Sequence, residues 1–384
     1  MSMNANPSSL YLHIPFCSRK CAYCDFVSYS GMEHLFQSYV DALKSEIRLY
    51  AGLYPSAGIS TIYFGGGTPN MLPPEMLADL LQEIKANFKV ELTAEITTEA
   101  NPGVSDSKES FALLVSAAGF NRLSLGFQSL HDNELWALGR IHSSREAVDA
   151  FYSARSAGFS NISIDLMYGI PGQSIDSWQM TLDMVLGLRP EHISLYSLTV
   201  ECGTPFYEMT QAGKLELPGN DVEADMYETA IDVLGRAGYN HYEISNFALS
   251  GYECRHNLTY WHNRPYFGFG AGAASYLEGV RSSNASLIEE YIALVQNGEK
   301  PTASSECLSE RGSMGETMFL GLRMKQGVSI GAFEIRYGVS PLTVFDEEIN
   351  RLCKQELIRI EGDFIKLTSA GLLLANIVFE EFVT

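Results

Sequence analysis

The chain has no long apolar run. Nowhere in its 384 residues does a stretch approach the roughly 18–20 apolar residues of a membrane-spanning helix. An integral membrane segment is therefore not expected. Basic charge is also scarce: 26 Lys and Arg stand against 46 Asp and Glu, a formal net charge of −20. No Lys/Arg cluster offsets this, and such a chain repels a phosphate backbone, so nucleic acid is not an expected partner. The first nine residues, MSMNANPSS, are short and polar and lack the apolar core of a secretory leader. A cytoplasmic protein is the expectation. The composition of a disordered chain is missing too, with 46% apolar and 19% charged residues. Cysteine is present in an odd number, seven, and three of them crowd into Cys17–Cys24. A reducing compartment and a metal site account for that better than a disulfide framework.

What is present is a repeated alternation of short β-type runs and longer helical patterns from residue 10 to about 240. Strands are expected at Leu10–Ile14, Thr61–Phe64, Ala94–Glu99, Arg122–Phe127, Ser163–Tyr168 and His192–Leu198. Each is followed by helical periodicity, for example Pro74 to Asn87, Ser144–Ala157 and Ile175 to Leu188. Six βα units of this kind predict a parallel sheet covered by helices, that is, an α/β fold. The segment from Ile244 to Gly279 is rich in Gly, Tyr, Phe and His, and reads as irregular loop plus short strand. From about Pro301, helical patterns precede a hairpin at Ile358–Ile360 and Phe364–Leu367, as in a winged helix. That segment is slightly acidic, which argues against DNA. The expected organisation is a barrel-like unit over 1–243, a connecting region over 244–300 and a small C-terminal domain over 301–384.

The cysteines lie just past the first expected strand, in Cys17-x3-Cys21-x2-Cys24. Three thiolates this close can reach three corners of one iron–sulfur cubane, leaving the fourth iron open to a chelating ligand. A zinc site is the alternative, with His13 as a fourth ligand. Further polar motifs fall at expected strand ends, where a βα barrel collects its chemistry. The second ends in Gly65-Gly66-Gly67-Thr68-Pro69, whose glycines let backbone approach a ligand. Glu99 ends the third and can accept hydrogen bonds from hydroxyls or an ammonium. Gln128 ends the fourth, Arg140 follows it, and Asp165 lies in the fifth. Taken alone, each of these could be a turn residue or an ion-pair member.

The string YLHIPFCSRKCAYCDF resembles the radical SAM superfamily, in the branch that holds oxygen-independent coproporphyrinogen III dehydrogenase and its heme-chaperone relatives. The likeness recurs at every strand end and reaches into the C-terminal domain. It implies a partial (β/α)6 barrel with a small helical, winged-helix-like C-terminal domain. It also implies a [4Fe–4S] cluster on Cys17, Cys21 and Cys24, with S-adenosylmethionine (SAM) on the open iron. Tyr11, Tyr23, Gly66, Gly67, Thr68, Glu99, Gln128, Arg140 and Asp165 match positions that contact SAM in that branch. One electron from the cluster would then cleave SAM to methionine and a 5′-deoxyadenosyl radical.

Two features divide the branch. The dehydrogenase pattern carries a further Cys two residues after the third, and this chain has Phe26 there. Secondly, Cys254-Arg-His256-Asn-Leu-Thr-Tyr-Trp261 contains HNxxYW, which is similar to the signature of the heme-chaperone relatives. His256, or less favourably Cys254, is then a candidate heme contact, with Arg255 available to a propionate. A lone His near aromatics can equally be a packing residue. The resemblance thus implies a heme chaperone with heme, the cluster and SAM as cofactors, and heme-accepting proteins such as respiratory enzymes as partners. It assigns no catalytic residue and leaves a homodimer open. The alternatives are the dehydrogenase itself and, disfavoured by charge, an RNA-modifying radical SAM enzyme.

Overall fold

The computed structural model describes residues 7–383. Its first two-thirds run β1 (Ser9–Ile14), α1 (Phe36–Leu53), β2 (Gly58–Gly66), α2 (Pro74–Asn87), β3 (Lys89–Ala100), α3 (Lys108–Leu113) and β4 (Arg122–Gln128). There follow α4 (Asp132–Ala137), α5 (Ser144–Ala157), β5 (Ile162–Tyr168), α6 (Ile175–Leu188), β6 (His192–Ser197), α7 (Pro205–Gln211) and α8 (Asn220–Arg236). β1 to β6 lie side by side in chain order and pair in parallel. The expected sheet of six βα units is what forms. It is open at both ends: at one edge β8 (Asn246–Ala248) pairs antiparallel with β6 and is followed outward by its hairpin partner β7 (Asn240–Glu243).

The strands alternate. Leu10, Leu12 and Ile14 of β1, Leu123, Leu125 and Phe127 of β4, and Ile162, Ile164 and Leu166 of β5 join one core with the helices. The intervening residues are polar: Thr61 and Tyr63 on β2, Arg122 and Ser124 on β4, Ser163 and Asp165 on β5. A parallel sheet buried on both faces reads as continuous apolar sequence. Here period-2 alternation separates a helix-covered face from a polar concave one.

The segment after β8 departs from expectation. Arg255–Trp261 is a helix, α9, where loop and short strand were expected. Seven residues are too few to establish helical periodicity, and α9 takes its support from the sheet. Glu95 of β3 accepts the backbone N–H groups of Arg255 at 3.1 Å and His256 at 3.0 Å, placing a carboxylate on the helix N-terminus. The expected short strand follows as β9 (Phe267–Phe269), pairing in parallel with β1 at the other edge of the sheet. Gly268 is obligatory, because a Cβ there would stand 1.8 Å from the Ala274 carbonyl oxygen. Beyond Glu310, helices and the hairpin Ile358–Glu361 with Phe364–Leu367 enclose a second core of Met318, Leu322, Phe345, Ile365 and Phe382. Tyr227 of α8 belongs to that core, tying it to the barrel.

Candidate cofactor site at the strand ends

The loop after β1 is pinned at its neck. Cys17 N–H donates to the Tyr29 carbonyl at 2.9 Å, and Tyr29 N–H donates to the Pro15 carbonyl at 2.7 Å. Residues 18–28 therefore bulge over the C-terminal ends of the strands. Cys17 is buried, while Cys21 and Cys24 are half-buried. All three line one cavity of about 380 Å³. Among the described residues no three His, Cys, Asp or Glu side chains converge on a single metal ion. A cubane instead takes each thiolate at a separate corner. His13, the candidate fourth ligand for zinc, faces elsewhere: its Nδ1 pairs with the Tyr11 hydroxyl at 3.0 Å and its Nε2 with the Val27 carbonyl at 2.7 Å.

The glycine motif ending β2 presses directly on this loop. Gly66 sits at φ +116°, and a Cβ there would lie 2.6 Å from the His13 ring. A Cβ on Gly67 would lie 2.7 Å from the Phe16 carbonyl oxygen and 3.0 Å from Cys17 Sγ. Thr68 Oγ1 stands 3.5 Å from Cys17 Sγ and accepts from Asn101 Nδ2 at 2.8 Å. Glu99 Oε1 accepts from the Tyr63 hydroxyl at 2.8 Å, and its Oε2 from Gly66 N–H at 3.2 Å. Burial pushes the Glu99 carboxyl up to about 7, against that hydrogen bond from Tyr63.

The other wall carries Gln128, Arg140 and Asp165. Gln128 adopts φ +67°, rare for a non-glycine residue, at a bulge in the β4–β5 register. Arg140 Nη1 lies 3.6 Å from Cys21 Sγ, while its Nη2 donates to Asn101 Oδ1 at 2.6 Å and to the Gly126 carbonyl at 2.8 Å. Its Nε is buried and has no hydrogen-bond partner among the described residues. Asp165 accepts from Ser124 at 2.8 Å and from Ser163 at 3.1 Å, and burial raises its carboxyl. Tyr23 closes the side, packed against Phe206 at 6.4 Å.

Cys17, Cys21, Cys24, Tyr23, Gly66, Gly67, Thr68, Glu99, Gln128, Arg140 and Asp165 thus line one cavity. Tyr11 does not. Its ring stacks behind Tyr63 at 6.1 Å, and Tyr63 takes its place in the wall. The lining also includes Arg122, Ser124, Tyr196 and Asn257, which motif reading passed over. Arg122 and Ser124 alternate with Gly126 and Gln128 along β4, so period-2 polarity was the available signal.

His256 lies outside this cavity, buried behind its wall. Nδ1 bonds the Thr61 hydroxyl at 2.9 Å and Nε2 the Tyr260 hydroxyl at 2.8 Å, so both ring nitrogens are engaged within the protein. Burial pushes its pKa down to about 3, with Arg122 adding to the shift. The ring is a neutral strut between β2 and α9. Cys254 is also fully buried, its Sγ 3.7 Å from Glu95 Oε1. Arg255 Nη1 donates to the Thr93 carbonyl at 2.7 Å.

Residues 11–185 match the radical SAM superfamily, and residues 308–374 match the HemN C-terminal domain. The heme chaperone HemW of Lactococcus lactis is 38% identical over 381 residues, covering 99% of this chain and 98% of the relative. That of Bacillus subtilis is 39% identical over 376 residues, covering 98% of this chain and 99% of the relative. The chain belongs to the HemW family. Its fold is shared by the coproporphyrinogen III oxidase HemN of Escherichia coli, with a TM-score of 0.85 at 24% identity over 100% of this chain and 91% of that one. The radical SAM match, which spans the three cysteines, implies a [4Fe–4S] cluster and SAM as cofactors. The residues fit these groups. Three thiols line the cavity, a guanidinium stands beside Cys21 with one nitrogen lacking a hydrogen-bond partner among the described residues, and Gly67 leaves room where a Cβ would strike Cys17.

Proposed function

We propose that this chain is a heme chaperone that carries a [4Fe–4S] cluster, binds SAM, holds heme and passes it to acceptor proteins. The observation that carries this reading is the match to two heme chaperones over nearly the whole length of both chains. Phe26 supports it: where the dehydrogenase pattern has a cysteine, an exposed phenylalanine lines the cavity.

In this reading Cys17, Cys21 and Cys24 hold the cluster. Gly66 and Gly67 offer backbone to the methionyl end of SAM, and Thr68 and Asn101 present polar groups beside it. Glu99 and Asp165 accept from its ammonium and hydroxyl groups, and Gln128 and Tyr23 orient it. Tyr11 acts through Tyr63. Arg140 balances the negative charge that gathers at Cys21. When bound, the cluster and SAM together supply one-electron chemistry. The cofactor work lies in residues 1–243, α9 lies in the connecting region 244–300, and residues 301–384 form the C-terminal domain. The acceptors are cytoplasm-facing hemoproteins such as respiratory enzymes, and the carrier works in the cytoplasm.

Three measurements test this. Heme added to the reconstituted protein should give a Soret band distinct from that of free heme; an unchanged spectrum rejects the carrier. Anaerobic incubation with coproporphyrinogen III, SAM and reductant should yield no decarboxylated product, and product would instead establish the dehydrogenase. Cys17→Ala should abolish the brown cluster absorbance.

A further inference from the structure

A second cavity lies at the opposite end of the sheet, where Ser8 precedes β1 and the C-terminal end of α9 meets the C-terminal domain. It is larger than the first, about 690 Å³ against 380 Å³. Its lining is mainly apolar and includes Trp261, Met324, Phe333 and Phe364. Trp261 is held in place by Arg323, whose guanidinium lies 4.6 Å from the centre of its ring. The charged groups in the lining are Arg264 and Arg336, and among the described residues it contains no carboxylate. This is a pronounced local departure for a chain with 46 acidic residues.

His262, directly after Trp261, also lines this space. The rings of His13, His131, His142, His192, His241 and His256 all make hydrogen bonds. The rings of His34 and His262 make none among the described residues and both residues are exposed, but of these two only His262 lines the cavity. Neighbouring atoms and the Arg264 guanidinium lower its pKa, so near neutral pH it presents a lone pair. Its backbone is fixed, since its N–H caps α9 by donating to the Leu258 carbonyl at 3.0 Å.

A mainly apolar space, two arginines without a competing carboxylate, and an unengaged neutral imidazole match the three parts of heme: macrocycle, paired propionates and iron. We infer that heme is carried in this second cavity, with His262 as its axial ligand and Arg264 and Arg336 receiving the propionates. This rests on the heme-carrier reading. The HNxxYW motif then serves two cavities through one helix: Asn257 lines the cofactor cavity, Trp261 lines the heme cavity, and His256 braces the helix between them.

The experiment is a hemin titration of the full-length reconstituted protein beside His262→Ala and Arg336→Glu, with thermal melts to establish that the variants fold. His262→Ala should weaken binding about tenfold or more and remove the histidine-ligated signature from the ferric electron paramagnetic resonance spectrum. Added imidazole should restore that signature. Arg336→Glu should weaken binding about tenfold while leaving the signature in place. If the wild type binds heme and both variants bind it equally well with unchanged spectra, the second cavity is not the site, and the carrier reading survives. If the wild type itself binds no heme, both readings fall.

Discussion

Glu99 shows how one side chain in this site couples binding to pH. Its carboxyl is raised to about 7 by burial, so it is largely neutral below that value and charged above it. The charged form is the better acceptor for an ammonium or a hydroxyl. Affinity for SAM should therefore rise as pH increases through about 7, and Glu99→Gln should flatten the profile and cost about 1.5–3 kcal/mol of binding. Calorimetric titration across this range checks both points. Gly67 makes a steric prediction of the same kind. With 2.7 Å to the Phe16 carbonyl oxygen and 3.0 Å to Cys17 Sγ, a Cβ must displace the cysteine loop. Gly67→Ala should lower cluster content in reconstitution while leaving the far-ultraviolet circular dichroism of the protein unchanged.

Between elements, α9 is the piece whose role the structure redefines. Its N-terminus rests on Glu95, and His256 fastens it to Thr61. His256→Ala should cost about 1–3 kcal/mol in urea unfolding with no heme present, because the Thr61 and Tyr260 hydroxyls lose a shared buried partner. A ring that served only as a heme ligand would show no such cost. Glu46 plays the matching role at the other edge. It joins α1 to the turn after β9 by accepting from Gly270 N–H at 2.9 Å, and it also accepts from Asn284 at 2.8 Å and the Tyr291 hydroxyl at 2.5 Å. Burial pushes its carboxyl up to about 7 from an ordinary value of 4.5. The folded chain thus keeps a proton that the unfolded chain has released. Its contribution to stability is full below about 4.5 and is lost as pH rises toward 7. Glu46→Gln sets a second donor against Asn284 and should cost about 1–3 kcal/mol. It should also remove this part of the pH slope, so wild-type stability should fall more steeply than the variant's over that window.

The barrel and the C-terminal domain have separate cores with Tyr227 between them. It is buried in the C-terminal core, stacks on Tyr168 at 6.0 Å, and donates to the Ile244 carbonyl at 2.7 Å. Tyr227→Ala should cost about 3–5 kcal/mol and uncouple the two cores. Scanning calorimetry should then resolve two transitions where the wild type shows more nearly one. The second cavity lies at this junction, so its shape depends on the domains staying docked.

Much of the fold was legible because its signals are local. Helix bounds such as Ser144–Ala157 and Ile175–Leu188 follow from apolar periodicity and capping serines at Ser143 and Ser174. The cysteine spacing and the residues at the strand ends are equally local, and the structure gathers nearly all of them around one cavity. What sequence could not decide was where a side chain is when its neighbours are distant in the chain. Arg122 became part of the site because parallel pairing aligns alternate residues of separate strands. Tyr11 left the cavity wall because Tyr63, 52 positions away, stands in front of it. His256 is a ligand candidate within its own motif, and only the fold shows that β2 brings Thr61 to its Nδ1. Spacing along the chain therefore determined which thiols stand together, while the packing of β2 and α9 decided that the ring of His256 is engaged and that of His262 is not. An imidazole's availability depends on which donors and acceptors surround it, and those come from the whole fold.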